Sequence, residues 1–133
     1  MTDLTEYISK IGESGLALHK HSNRNCVYKE CEAILVMKKE KKENLDTHKE
    51  HLREENFPEN YGMAECNVIV REHNNEKCIK IMEQWWEEFL NYSKRDQLSF
   101  PYVLFKNGVK IEEVTTLGDN VFKNYSFRIL THK

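Results

Sequence analysis

The sequence predicts an α/β domain in which strands of mixed direction are covered by helices. Three observations carry that expectation. Apolar residues recur at helical spacing in four separate segments. A β-branched run, Val68-Ile69-Val70, sits between polar residues and reads as a buried strand. Asn107-Gly108, between two short apolar runs, is the strongest hairpin signal in the chain.

The first helix is expected from Asp3 to Ile11, where Leu4, Tyr7, Ile8 and Ile11 fall on one face. Thr2 or Asp3 can cap its start and Gly12 can end it. Gly15 to His19 suits a short strand, and the polar stretch through Arg24 a loop. A second helix begins near Asn25, with Val27, Cys31, Ile34 and Leu35 as its apolar face. From Lys38 to Glu55 six Lys/Arg meet six Asp/Glu, so the stretch is neutral and suits a solvated helical surface. Pairs such as Lys39/Glu43 and Lys42/Asp46 can bridge at one helical turn. Leu45 and Leu52 keep a narrow apolar seam, and Asn44 can cap a separate helix after a break near Glu43.

Pro58 is expected to end that helix, and Asn60-Tyr61-Gly62 to turn the chain. The strand over Cys66–Arg71 follows. Asn74 or Asn75 caps the best helix, with Cys78, Ile81 or Met82, Trp85 and Phe89 as its core stripe, widened by Trp86. Lys94 to Gln97 reads as a helix end and polar loop. Phe100–Phe105 and Val109–Val114 are expected to pair as a hairpin, and Tyr125–Leu130 to form a last strand. The order of elements suits layers around one core, with 1–133 as a single domain.

Composition excludes several classes. Twenty Lys+Arg against 22 Asp+Glu leave a net charge of −2, so no bulk positive field gathers nucleic acid or anionic lipid. No apolar run approaches the ~20 residues of a membrane-spanning helix. The absence of an apolar leader near Met1 predicts a cytoplasmic protein. Cysteines 26, 31, 66 and 78 form no CxxC pair, so they read as free thiols in a reducing compartment. No GxGxxG, phosphate loop, HExxH or GxSxG occurs.

Three polar clusters could carry chemistry. In the first, Glu65, Asn67 and Arg71 share one side of a regular strand, with His73 and Asn74 just beyond. A carboxylate, an amide and a guanidinium can hydrogen-bond sugar hydroxyls, and Arg71 can grip a phosphate. A structural Glu65–Arg71 ion pair would use the same residues. In the second, Arg95-Asp96-Gln97 can orient an acceptor hydroxyl or stabilise positive charge at a reacting carbon. Ordinary helix-end polarity also accounts for it. The third is His19, His21, His132 and Lys133, where two histidines at i and i+2 can ligate a metal or simply face solvent.

Longer runs carry a resemblance. Glu65-Cys66-Asn67-Val68-Ile69-Val70-Arg71-Glu72-His73-Asn74, Met82-Glu83-Gln84-Trp85-Trp86 and Ser93-Lys94-Arg95-Asp96-Gln97-Leu98-Ser99-Phe100 resemble a glycosyltransferase-like family of plant mucilage and pectin proteins and bacterial capsule-type proteins. His21, Arg24, Cys26, Tyr28 and Glu30 resemble its His-x-x-Arg-x-Cys-x-Tyr-x-Glu segment, Phe57-Pro58 to Gly62-Met63 its linker, and His132-Lys133 its closing pair. The resemblance implies a partial GT-A-like mixed sheet flanked by helices, corresponding to the C-terminal acceptor and catalytic part. It implies a sugar-nucleotide-dependent glycosyltransferase, with a nucleotide-sugar donor, a glycan acceptor and a separate N-terminal half as partners. On that analogy Asp96 and Gln97 are catalytic. Glu65, Asn67, Arg71, His73, Arg95, His21 and Arg24 bind substrate. His132 is a ligand of a Mn²⁺ or Mg²⁺ ion that neutralises the leaving diphosphate. Since the acidic metal motif is absent from the chain, a non-catalytic carbohydrate-binding or accessory protein is the alternative.

Overall fold

The computed structural model describes residues 4–21 and 23–119. They form six helices and a two-stranded antiparallel sheet, in the order α1 (Thr5–Ile8), β1 (Leu16–Lys20), α2 (Val27–Val36), α3 (Lys42–Glu54), β2 (Ala64–Arg71), α4 (Glu76–Asn91), α5 (Asp96–Lys106) and α6 (Ile111–Val114). The expected α/β class is present. The strand expected at Tyr125–Leu130 and residue His132 lie outside the described residues.

The sheet is the frame. Leu16 pairs with Arg71 and Ala17 with Val70, but His19 pairs with Glu65 and Lys20 with Ala64. Leu18 therefore stands opposite four residues of β2, Cys66 to Ile69, which form a wide bulge. One face of the sheet packs Leu16, Leu18 and Ala64 into the main core with α2, α3, α4 and α5. The other face carries a smaller cluster of Ala17, Tyr7 and Leu117, flanked by Ile11, Val68 and Val70. The outer edge of β1 is covered: Leu117 N–H donates to Leu18 O at 3.0 Å and Lys20 N–H to Gly118 O at 2.8 Å. β2 is not the fully buried strand expected, because Asn67 and Arg71 stand exposed along it.

The helices follow their apolar stripes with informative departures. α1 is a single turn on which Tyr7 alone is buried, while Leu4 and Ile8 face outward. On α2 the buried line is Val27, Glu30, Cys31 and Ile34; Leu35 lies on the exposed side. α3 buries Leu45, His48 and Leu52 and begins at Lys42, before the expected cap. Asn44 instead donates from Nδ2 to Glu40 Oε1 at 2.9 Å. Lys42 and Asp46 bridge at 2.5 Å as their spacing suggests. Asn75 caps α4, its Oδ1 accepting from Cys78 N–H at 3.1 Å.

The largest correction is at residues 96–114, where the hairpin is replaced by two helices. Seven consecutive residues, Leu98 to Leu104, are buried. A short helix enclosed on all sides has an unbroken apolar run like that of a buried strand, so alternation cannot separate them. Asn107-Gly108 closes a helix rather than a hairpin. Gly108 takes φ 68°, its N–H bonds Phe105 O at 3.1 Å, and Val109 N–H bonds Leu104 O at 2.9 Å. The same closure ends α3 through Asn56 (φ 59°) and Phe57, ahead of Pro58, and ends α2 through Lys38 (φ 55°) and Lys39. Gly62 is needed for close approach: at φ 107° a Cβ there would lie 2.2 Å from Ile111 Cγ2.

Cys26, Cys31 and Cys78 are buried and Cys66 is half-buried; all four thiols are free. Burial pushes the Cys31 thiol up to about 12 and raises Cys66 well above its ordinary value, which marks them as packing groups rather than nucleophiles. No helix among the described residues is long and apolar enough to cross a membrane.

Candidate functional site

Two elements bring the central residues together. The bulge in β2 turns Asn67 outward, away from both cores. The start of α5 presents Asp96 and Gln97 in its first turn, with Arg95 as the extended residue before it. These meet in a cleft of about 210 Å³ lined by Glu30, Ile34, Asn67, Lys94, Arg95, Asp96 and Gln97. The side chains of Asn67, Arg95, Asp96 and Gln97 have no hydrogen bond or ion pair to one another or to any other described residue. An amide from the strand and a guanidinium, a carboxylate and an amide from the helix start are thus open to a ligand.

The start of α5 is held from behind. Trp85 Nε1–H donates to the Asp96 carbonyl at 3.0 Å, while its ring packs on Phe100 at 4.7 Å between centroids. Pro101 has no N–H to give the carbonyl of Gln97, so that oxygen stands outside the i→i−4 ladder. Lys94 Nζ donates to the Phe89 and Leu90 carbonyls at 3.0 and 3.3 Å, closing the end of α4. Ser93 Oγ lies 2.8 Å from the Nδ1 of buried His48, pinning the segment before the cleft to α3. Burial and the neighbouring His51 lower the His48 imidazole to about 4.

The His21–Glu30 segment reaches the same cleft through Glu30. Its carboxylate is gripped by the Arg24 Nε–H and lies 4.0 Å from His21 Nε2. His21 Nδ1 in turn accepts from the backbone N–H groups of Asn23 and Arg24 at 3.2 and 3.1 Å. His21 and Arg24 therefore position Glu30 rather than line the cleft themselves. Glu30 and Lys94 join the site beyond the residues that the sequence suggests. The signal for Glu30 was available: it occupies the apolar line of α2, where a carboxylate needs a partner.

Other expected members are placed elsewhere. Glu65 is opposite His19 and buried on the face of Ala17; the bulge shifts the strand's phase by an odd number of residues and separates it from Asn67 and Arg71. The proposed Glu65–Arg71 ion pair is absent among the described residues. Arg71 lines a neighbouring groove of about 310 Å³ with Met82, Trp85, Trp86, Phe89 and Asp96. Trp86 is 60 % exposed, so it does not widen the core stripe of α4. His73 is exposed in the turn before α4, outside both recesses. His132 lies outside the described residues. Among the described residues no group of three His, Cys, Asp or Glu side chains is arranged to hold a metal ion. The acid nearest the cleft other than Asp96 is Glu30, already committed to Arg24. The donors among the described residues do not by themselves fit a divalent cation.

Comparison with known proteins gives two findings of unequal reach. The model of the TOD1/MUCI70, glycosyltransferase-like domain matches residues 3–133. Short similarities to small GTPases also occur. The Ypt/Rab-type GTPase avaA of Emericella nidulans is 41% identical over 54 residues, covering 40% of this chain and 26% of the GTPase. Rab7 of Neurospora crassa is 39% identical over 54 residues, with the same shares. RABG3b of Arabidopsis thaliana is 38% identical over 53 residues, 39% of this chain and 26% of that protein. The chain spans about a quarter of the length of these relatives, and its sequence has no GxxxxGK[ST] phosphate loop. No solved structure matches.

Proposed function

The chain belongs to the TOD1/MUCI70 glycosyltransferase-like domain family, and from that premise we propose that it is the sugar-handling part of a sugar-nucleotide-dependent glycosyltransferase in polysaccharide or glycan synthesis. The observation that carries this reading is the cleft in which Asn67 meets Arg95, Asp96 and Gln97 with their side chains uncommitted. Sugars present adjacent hydroxyls that each donate and accept. Two amides and a carboxylate match that pattern. Arg95 places positive charge where a leaving diphosphate builds negative charge. Asp96 can take the proton from an acceptor hydroxyl as it attacks the anomeric carbon, and Gln97 can hold the sugar in line.

A Mn²⁺ or Mg²⁺ ion would supply further neutralisation of the diphosphate. In the same reading the α/β unit is one part of a GT-A-type enzyme, completed by an N-terminal nucleotide-binding half. Four free thiols suit a cytoplasmic setting. A second reading is a carbohydrate-binding accessory protein without turnover, which would use the same uncommitted polar side chains of the cleft.

Transfer assays separate the two. The full chain, alone and with any adjacent nucleotide-binding polypeptide, is given labelled uridine diphosphate sugars and an oligosaccharide acceptor panel. The enzyme reading expects transfer from one donor, lowered at least about a hundredfold in Asp96→Asn with unfolding unchanged. Glycan binding without donor binding or transfer selects the accessory reading.

A further inference from the structure

The groove beside the cleft contains an aromatic ring that packing does not explain. The two tryptophans of α4 have different tasks. Trp85 packs on Phe100 and donates its indole N–H to the Asp96 carbonyl, so it is structural. Trp86, one residue on, is 60 % exposed and has no hydrogen bond among the described residues. Its ring lies nearly parallel to that of Phe89, 15° apart with centroids 5.6 Å distant, and Phe89 also carries the Lys94 ammonium at 5.0 Å. Arg71 and Asp96 complete the groove, and Asp96 also lines the polar cleft.

Resting on the glycosyltransferase reading above, we propose that this groove is the acceptor subsite and takes a glycan chain, with one sugar ring stacked on Trp86 and its hydroxyls held by Arg71 and Asp96. The chemistry selects that occupant. A pyranose ring has an apolar C–H face and a rim of hydroxyls. The first matches an exposed indole, the second a guanidinium and a carboxylate. A purely apolar partner would use the ring but strip water from Arg71 and Asp96 without replacing it, which is unfavourable. A nucleotide base could also stack on Trp86 with its phosphate on Arg71, and competition by uridine diphosphate is the outcome that would reveal it. Sharing Asp96 makes the two recesses adjacent, as attack by an acceptor hydroxyl on a bound donor requires.

Isothermal titration calorimetry on the full chain tests this with three probes: cellohexaose, maltohexaose and an oligouronate of similar length. At least one is expected to bind saturably, with uridine diphosphate failing to displace it. Trp86→Ala is expected to weaken that probe at least about tenfold, with its urea midpoint at the wild-type value because the ring is exposed. Trp86→Phe should retain most of the affinity. The proposal is overturned if none of the three binds, if Trp86→Ala binds as wild type does, or if uridine diphosphate competes. Donor binding is measured separately by thermal shift in both proteins. Its loss in wild type with glycan binding intact would count against the donor reading and not the Trp86 subsite.

Discussion

Acid should weaken this protein through His48, and the size of the effect follows from its surroundings. The imidazole is fully buried on α3 with Nδ1 2.8 Å from Ser93 Oγ, while Nε2 has no hydrogen-bond partner among the described residues. His51, which also lowers the His48 value, stacks on Tyr92 nearby and lies 3.1 Å from Glu88. Burial and His51 hold the folded imidazole at about 4, against 6.5 when unfolded. The unfolded chain therefore binds the proton first as pH falls. The contribution of this group is intact above its unfolded value, declines below it, and is lost in full near the folded value. The complete loss is about 3 kcal/mol, and about 2 kcal/mol of it falls between pH 7 and pH 5. Urea unfolding of wild type and His48→Gln at both pH values checks this. The variant is expected to lose about 2 kcal/mol less than wild type over that interval. Parallel losses in the two proteins would refute the assignment. Since Ser93 precedes the cleft residues, acid should also weaken ligand binding in wild type more than in the variant.

Three further outcomes follow from particular contacts. Gly62→Ala places a methyl 2.2 Å from Ile111 Cγ2 at φ 107°, so it should cost about 3 kcal/mol or more in urea unfolding; a cost under about 1 kcal/mol would show that α6 gives way freely. Lys38→Gly relieves an exposed left-handed residue at the end of α2 and should raise stability by about 0.5–1 kcal/mol, read as a higher urea midpoint. Glu30→Gln removes the carboxylate that Arg24 grips at the cleft. It should cost about 1–2 kcal/mol and weaken donor binding in thermal-shift assays, whereas Glu30→Asp should recover part of both.

Local patterns carried the first two-thirds of the fold. β1 and β2 follow short apolar runs, α2 and the Asn75-capped α4 follow a stripe that one face must bury, and Leu45 and Leu52 mark the seam of α3 as expected. The failures have physical causes. Leu98 to Leu104 are enclosed on every side, which erases the period distinguishing helix from strand, and Gly108 supplies a positive φ that helix ends and hairpins both use. Trp86 and Leu35 sit beside true core positions but rotate outward, a difference of one residue that hydrophobicity does not register.

The candidate site divides similarly. Asn67 and the Arg95–Gln97 run stood out because polar groups at element ends need a reason. That they share a recess depends on how β2 meets α5, which no spacing within either segment encodes. Glu65 was grouped with Asn67 on the premise of a regular strand; the bulge opposite Leu18 breaks the phase and sends it to the other face with His19. Glu30 shows the converse, since a charge on an apolar line was legible but its destination was not.

The central claim is that Asn67 on the strand and Asp96 at the helix start act on one sugar. A double-mutant cycle on donor affinity measures this directly, using Asn67→Ala, Asp96→Asn and the pair, each titrated with the uridine diphosphate sugar that binds wild type best. The account predicts that the two losses are coupled by at least about 0.5 kcal/mol. Strictly additive losses, or a donor whose affinity neither substitution changes, would contradict it.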